Sequence, residues 1–525
     1  MTDAPAPLLA ATPRWLRPGL LVAVGGLFVA HALVFNFVND DAFISFRYAD
    51  NLVRHGELVF NVGERVEGYT NFLWTMVMAG VMALDLDPVP WSKGLGILLS
   101  LLTLALVARF SGRMGRKGAG DALAPLLLAA APAYACWATG GLETALFTFL
   151  VTAGWTQFLQ ERDQEGIFPW SGVWFALAAM TRPEGMLFFG LTGLYRLGQL
   201  VAARRWPGRR DWIWGAGFLV VFGPYYAWRT LYYGWPFPNT WYVKSGAKSF
   251  WGPGGRYAWD WISTHFLWLL PAFAAVRRGW PAGREGRLLG LAALYTVAMT
   301  VHVMRVGGDF MALHRFLVPL MPILAVVAAN GLLGIIAALR ERGVGRLRLA
   351  VAGAVVAAFL AVHVVQVDRD ALRVDSHGGV DSIGWLAWFA DQCTTIGRYL
   401  AEHTDEGDVL ATTAAGIIPF YSRRPTLDLL GLNDAWIAHN VPASGNRPGH
   451  TKHAPPGYAE EKGVTIFIGH PEPTGGKSRG GPRPGYTWES VQIPGLRIDP
   501  RQARTKADGE RDAWWGYWRR PKPGG

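Results

Sequence analysis

Thr70-Asn71-Phe72-Leu73-Trp74-Thr75-Met76-Val77-Met78-Ala79-Gly80-Val81-Met82-Ala83-Leu84-Asp85-Leu86-Asp87 is apolar enough to suggest a membrane crossing, and the way it is counted sets the topology of everything after it. Counted as a full span, it places Arg109, Arg113, Arg116 and Lys117 outside the membrane. Read as an interfacial or re-entrant helix, it leaves them in the cytoplasm. The same parity then gathers Arg204, Arg205, Arg209 and Arg210, next Arg277, Arg278, Arg284 and Arg287, and finally Arg340, Arg342, Arg346 and Arg348 on the cytoplasmic side. Four basic clusters then obey the positive-inside rule together, so the interfacial reading is adopted.

Composition agrees with a membrane protein. The 525 residues are 51% hydrophobic and 17% charged, and mean hydropathy is +0.18. A hydrocarbon core about 30 Å thick takes roughly 20 helical residues. On that basis the sequence predicts about eleven transmembrane helices, near 18–38, 91–110, 122–138, 143–160, 167–181, 185–203, 211–232, 258–276, 286–304, 316–339 and 348–367. The net charge of +11 would suggest nucleic acid in a soluble domain, but much of the arginine lies in short loops between apolar runs, so no nucleic-acid partner is expected. Two cysteines, Cys136 and Cys393, allow no thiolate metal site. Met1 to Arg17 before an apolar run, with Ala30-His31-Ala32, has a loose signal-peptide pattern, but the Asp pair that follows reads as anchored to a retained helix.

The topology divides the chain into residues 1–367, a polytopic α-helical membrane domain with its N-terminus in the cytoplasm, and residues 368–525, an extracytoplasmic α/β domain. In the latter, 384–402 has the pattern of an amphipathic helix, and Asp408 to Thr413 and Val464 to Ile468 that of buried strands. Residues 470–485, rich in Gly, Pro and Lys/Arg, read as a loop. Trp514-Trp515-Gly516-Tyr517-Trp518-Arg519-Arg520 suits either a headgroup surface or a packed strand.

On this threading Asn39-Asp40-Asp41, Gly141-Leu142-Glu143-Thr144, Thr181-Arg182-Pro183-Glu184 and Gly307-Gly308-Asp309 all come out on the outer side. One Asp ahead of a helix is accounted for by capping. Two adjacent ones are not, since neighbouring side chains point about 100° apart on a helix. The reading is therefore that one of Asp40 and Asp41 is a general base and the other caps a helix, binds an ion or orients a partner. Glu143 and Glu184 each begin a predicted span. A mid-membrane charge costs about 2.5–3.5 kcal/mol, so they belong at the interface or against a polar cavity. Helix-dipole stabilisation of about 0.3–1 kcal/mol is the rival explanation for both. Arg47, Arg182, Arg229, Lys244 and Arg315 stand at outward positions where, as a set, they can form a cationic pocket for phosphate. Snorkelling to lipid headgroups is the alternative for each alone.

Asp40-Asp41-Ala42-Phe43-Ile44-Ser45-Phe46-Arg47-Tyr48, with Phe60-Asn61-Val62-Gly63-Glu64-Arg65-Val66-Glu67, resembles the first extracytoplasmic loop of GT-C glycosyltransferases, most closely the mycobacterial terminal arabinofuranosyltransferase group. Gly307-Gly308-Asp309-Phe310-Met311 followed by His314-Arg315 adds to the likeness, although His314 stands further from the Gly-Gly-Asp motif than the histidine of the mycobacterial pattern. Pro238-Asn239-Thr240 with Lys244, Thr181-Arg182-Pro183-Glu184-Gly185 and Arg424-Pro425-Thr426-Leu427-Asp428 are similar to motifs of wider bacterial relatives. The resemblance implies a bacterial plasma-membrane enzyme that moves a sugar, arabinofuranose in the nearest group, from a polyprenyl-phosphate donor to an envelope glycan outside the membrane. A carboxylate of the Asp40/Asp41 pair would be its base. Arg47, Arg182, Lys244, His314 and Arg315 are then the candidates for the donor phosphate, and Glu143, Glu184 and Asp309 for shaping an acceptor or metal site. Carboxylates and water suit Mg²⁺ or Mn²⁺, but the sequence does not require a metal. The rival is a transporter or flippase of a lipid-linked sugar, which would place its charges and broken helices near mid-membrane rather than at outward ends.

Overall fold

The computed structural model describes residues 16–114, 118–164, 166–244, 249–265, 270–273, 281, 283–377, 379–444, 450–503 and 505–521. Arg116, Lys117, Arg277 and Arg278 of the basic clusters, and part of the predicted 258–276 span, lie outside them. The chain is mostly helical. Leu16–Phe35 (α1) leads to Asp40–His55 (α2), which lies within the first loop, and then to Phe72–Ala83 (α3). At 12 residues α3 is about 18 Å long, too short for a roughly 30 Å hydrocarbon core. It ends before Asp87, whose carboxylate accepts the Val89 N–H at 2.9 Å and caps Pro88–Arg113 (α4), with Pro88 in the first turn, where proline's missing N–H costs nothing.

The predicted 122–138 span is broken into Leu123–Ala129 (α5) and Pro132–Cys136 (α6). Proline at 132 has no N–H to continue the first helix and starts the second instead. Thr144–Asp163 (α7), Ser171–Thr181 (α8), Glu184–Ala202 (α9) and Arg209–Tyr233 (α10) pack in succession, with α8 against both α7 and α10. The 167–181 prediction thus shortens to 11 residues in α8, whose start is fixed by Glu161 accepting from the backbone N–H and hydroxyl of Ser171. Asn239–Lys244 (α11), Trp251–Thr264 (α12), Gly283–Val306 (α13), Met321–Glu341 (α14) and Arg346–Leu372 (α15) complete the membrane portion. Among the described residues five helical stretches are long and apolar enough to cross a membrane: 17–35, 88–113, 283–306, 315–341 and 346–372. The last has none of its apolar window buried within the protein, as a lipid-facing helix would.

Beyond α15, Ser376–His377 (β1) and Val380–Asp381 (β2) form a small hairpin. Asp381 pairs with Met311, pinning the Gly307-Gly308-Asp309 loop to the C-terminal region. Ile383–His403 (α16) is capped by Ser382, whose hydroxyl accepts the Trp385 N–H at 3.1 Å. Leu410–Thr412 (β3), Thr426–Asp428 (β4), Ile466–Gly469 (β5), Thr487–Gln492 (β6) and Trp514–Arg519 (β7) make one sheet in the order β4-β3-β5-β7-β6. Strand β3 runs parallel to β4 and β5, and β7 antiparallel to β5 and β6. The aromatic tail is therefore a paired strand, with Trp515 and Tyr517 buried, rather than a headgroup anchor. Ile417–Ser422 (α17) and Ala435–Asn440 (α18) link the strands and face the membrane portion.

Candidate active site

The site forms where α2, the turns before α7 and α9, the loop after α13 and the C-terminal region meet. Asn39, not an aspartate, caps α2: its Oδ1 accepts the Asp41 N–H at 2.8 Å. Asp40 is engaged elsewhere. Its carboxylate accepts the N–H groups of Ile417 at 2.7 Å and Gly416 at 3.2 Å, and so caps α17 from a distant part of the chain. Burial pushes the Asp40 carboxyl up to about 7, with the two amides pulling it back and the neighbouring Asp41 adding to the rise.

Asp41, one position further round the helix, points another way. It is partly exposed and forms no hydrogen bond or ion pair through its carboxylate among the described residues. Burial raises its pKa above the ordinary carboxylate value. Lys244 and Arg315 pull it down, while Asp309 and Glu143 push it up. These five side chains come from α2, α11, the loop after α13 and the α7 entrance, and they share one electrostatic neighbourhood.

The carboxylates around Asp41 are held in place by partners. Arg182 bridges two of them, giving Nη1 to Glu143 at 2.6 Å and Nη2 and Nε to Glu184 at 2.8 and 3.2 Å. Asn71 donates to the other oxygen of Glu143 at 3.0 Å. Arg182 also lies over the rings of Phe147 and Phe316, which shield it from water. Asp309 accepts Arg315 Nε at 2.8 Å, and Arg315 lies over Trp137, whose indole N–H reaches the Leu313 carbonyl at 3.2 Å. Gly307 and Gly308, at φ 93° and 79°, make the turn that presents Asp309.

The structure thus brings Asp41, Lys244, Arg315, Asp309 and Glu143 together, with Arg182 and Glu184 joined through Glu143. It does not bring the rest. Arg47 is buried and donates to the carbonyls of Phe60, Pro419 and Arg424 and to Asn61 Oδ1, so its fork of donors latches the first loop to the C-terminal region and faces neither a phosphate nor lipid headgroups. Arg229 is ion-paired to Glu67, both buried. His314, in a left-handed conformation at φ 50°, packs edge-on to Tyr257, and burial holds its imidazole down to about 3, so it is neutral and offers a phosphate no charge. Residues given no role in the sequence analysis also matter. Asn71 orients Glu143, and Asn239 donates to the carbonyls of Gly431, Leu432 and Asp434, setting α11 and hence Lys244 against the C-terminal region. Asn239 belongs to the Pro238-Asn239-Thr240 motif, but its partners lie nearly two hundred residues on.

The solved structure of ArnT from Cupriavidus metallidurans bound to undecaprenyl phosphate superimposes with a TM-score of 0.54 at 15% identity, covering 78% of this chain and 85% of that one. The fold is of the GT-C type. The chain is 30% identical over 340 residues to the terminal beta-(1->2)-arabinofuranosyltransferase of Corynebacterium glutamicum, covering 56% of this chain and 48% of the relative. It is 28% identical over 356 residues to the protein of the same description from Mycobacterium tuberculosis, covering 60% and 55%. The chain spans about half the length of these curated relatives. Residues 386–507 match a family model described as a domain of unknown function, DUF8728. Among the described residues of this GT-C fold no group of three or more His, Cys, Asp or Glu is arranged to hold a metal ion. Glu143, Glu184 and Asp309 are instead each matched to an arginine.

Proposed function

We propose that the protein is a membrane glycosyltransferase that moves a sugar from a polyprenyl-phosphate donor to a cell-envelope glycan outside the bacterial plasma membrane. The names of its relatives make arabinofuranose the first sugar to test, and the undecaprenyl phosphate bound to ArnT supports a polyprenyl-phosphate lipid as donor. The observation that carries the reading is the state of Asp41, a carboxylate left without a hydrogen-bonding partner among the described residues, beside two cations and two buried acids that are held in place.

In this mechanism Asp41 takes the proton of the acceptor hydroxyl as that oxygen bonds to the anomeric carbon, while the bond from that carbon to the phosphate oxygen breaks on the opposite face. Lys244 and Arg315 offset the charge developing on the departing lipid phosphate, so no general acid is needed. One displacement inverts the anomeric centre, by the logic that governs inverting glycosidases. Glu143 and Glu184, fixed by Arg182, would line the acceptor side. Charge compensation by these side chains serves the phosphate without requiring a metal. The accompanying topology places Asp41 and residues 368–525 on the extracytoplasmic side, with the N-terminus cytoplasmic.

The test is transfer from radiolabelled polyprenyl-phosphate sugars to envelope glycan by purified protein, beside Asp41→Asn and Asp40→Asn. Transfer by wild type and its loss in Asp41→Asn support the reading. Full activity in Asp41→Asn removes the base, and labelled lipid that changes leaflet in proteoliposomes without donor consumption replaces the enzyme with a flippase.

A further inference from the structure

At the opposite end of the membrane portion from Asp41, residues of α1, α4 and the start of α5 line a cleft of about 580 Å³. The volume falls within the roughly 300–1,000 Å³ of small-molecule sites. Its walls are apolar, with Leu21 and Val24 from α1, Leu104 and Ala105 from α4 and Pro125 from α5, and its mouth carries Arg17, Arg109 and Arg113 with one carboxylate, Asp121.

Those arginines are unevenly provided for. Arg17 is paired with Asp121 at 2.8 Å. Arg109 and Arg113 have no acidic partner among the described residues, and as an i, i+4 pair they share one helix face, an arrangement that is unfavourable for like charges. Snorkelling to bulk headgroups accounts for exposed arginines at a helix end, but not for an apolar cleft ending between them. An apolar channel closed by unneutralised guanidinium groups is complementary to one molecule with a hydrocarbon chain and an anionic head, and a basic pocket between membrane helices recognises lipid heads by that means.

We propose that this cleft is a binding site for one anionic phospholipid from the leaflet facing away from the candidate active site. Its acyl chain lies along Leu21, Val24 and Leu104, and its phosphate is held by Arg109 and Arg113 with Arg17 at the rim. The lipid wedges α1 to α4, and α1 leads directly into the loop that carries Asp40 and Asp41.

The full chain is purified in detergent, and binding of phosphatidylglycerol, phosphatidylcholine and glycerol 3-phosphate is measured by native mass spectrometry on wild type, Arg109→Gln/Arg113→Gln and Ala105→Phe. Ala105 is exposed in the cleft, so its phenylalanine fills the channel at unchanged charge. Phosphatidylglycerol is expected to bind wild type in preference to phosphatidylcholine, with one lipid retained, and about thirty-fold more weakly to the double glutamine variant. Ala105→Phe should also lose it, and glycerol 3-phosphate alone should not be retained. Wild-type affinity in Ala105→Phe would reduce the site to surface attraction and overturn the proposal. Equal retention of phosphatidylcholine, or undiminished binding in the double variant, would do the same.

Discussion

The Asp40 carboxylate accepts the Ile417 amide N–H at 2.7 Å although 377 residues separate them. The carboxylate that sequence reasoning treats as half of a catalytic pair therefore caps, from a distant part of the chain, the start of a helix in the C-terminal region. With Arg47, which donates to the carbonyls of Pro419 and Arg424, it docks that region over the candidate site. Docking and the proposed proton transfer thus fall to adjacent residues of one helix turn, and their variants are expected to fail in different ways.

Gly416 sits against that contact so closely that a Cβ there would lie 1.9 Å from the Asp40 backbone oxygen. Backbone cannot swing aside as a flexible side chain can, so Gly416→Ala must move α17. A cost of about 1–3 kcal/mol, typical of overpacking, is expected. It should appear as a lower thermal midpoint and faster proteolysis between residues 372 and 383, and a midpoint equal to wild type would contradict the docking geometry.

Asp40 also makes stability depend on pH. Its carboxyl rises from an ordinary 3.8 to about 7 on folding because burial penalises the charge. A raised carboxyl contributes stability that is fully present below the unfolded value and is lost as pH rises through the folded one. Asp428, pushed up to about 6 chiefly by burial, acts in the same direction. The thermal midpoint of wild type is expected to decline between about pH 4 and pH 7. Asp40→Asn should show a shallower decline across that window, since it has no charge to bury.

The helical portion was legible because its signals are local. Hydropathy marked the segments, the short apolar run before Asp87 gave a 12-residue helix, and strand patterns near 410 and 466 gave paired strands. The broken helix at Pro132 was readable from that proline but was overridden by the length of the apolar run. Side-chain assignments were less legible, because their partners are distant in sequence. Nothing near Arg47 announces carbonyls at 419 and 424, and nothing near Asp40 announces an uncapped helix at 417. Arg182 was closer to readable, since Glu184 lies two residues on, but its bridge to Glu143 exists only in the fold.

That bridge sets the next expectation. Arg182 neutralises two carboxylates, one of them fully enclosed, and removing one partner of a buried ion pair costs about 3–5 kcal/mol because the remaining charge is stranded. Arg182→Ala should therefore express poorly and melt early as well as lose transfer. Arg182→Lys keeps a charge but cannot present the fork to both acids, and should fall between. If Arg182→Ala melts like wild type, the bridge is not structural.

Lys244 gives the opposite pattern, and with it a test of Asp41 as base. Lys244 is exposed at the end of α11, so Lys244→Ala should leave stability within about 0.5 kcal/mol of wild type and the thermal midpoint nearly unmoved. Its charge pulls the Asp41 carboxyl down against the burial that raises it. A base must be ionised, so transfer is expected to fall on the acid side as pH drops through the Asp41 pKa, which lies above the usual carboxylate value. Removing Lys244 lifts that pKa, and the acid limb of kcat/KM should move to higher pH. Lys244→Arg should return the limb towards wild type, which a loss of phosphate contact alone would not predict. An acid limb that stays in place in Lys244→Ala, with only KM raised, would confine Lys244 to donor binding and detach the limb from Asp41.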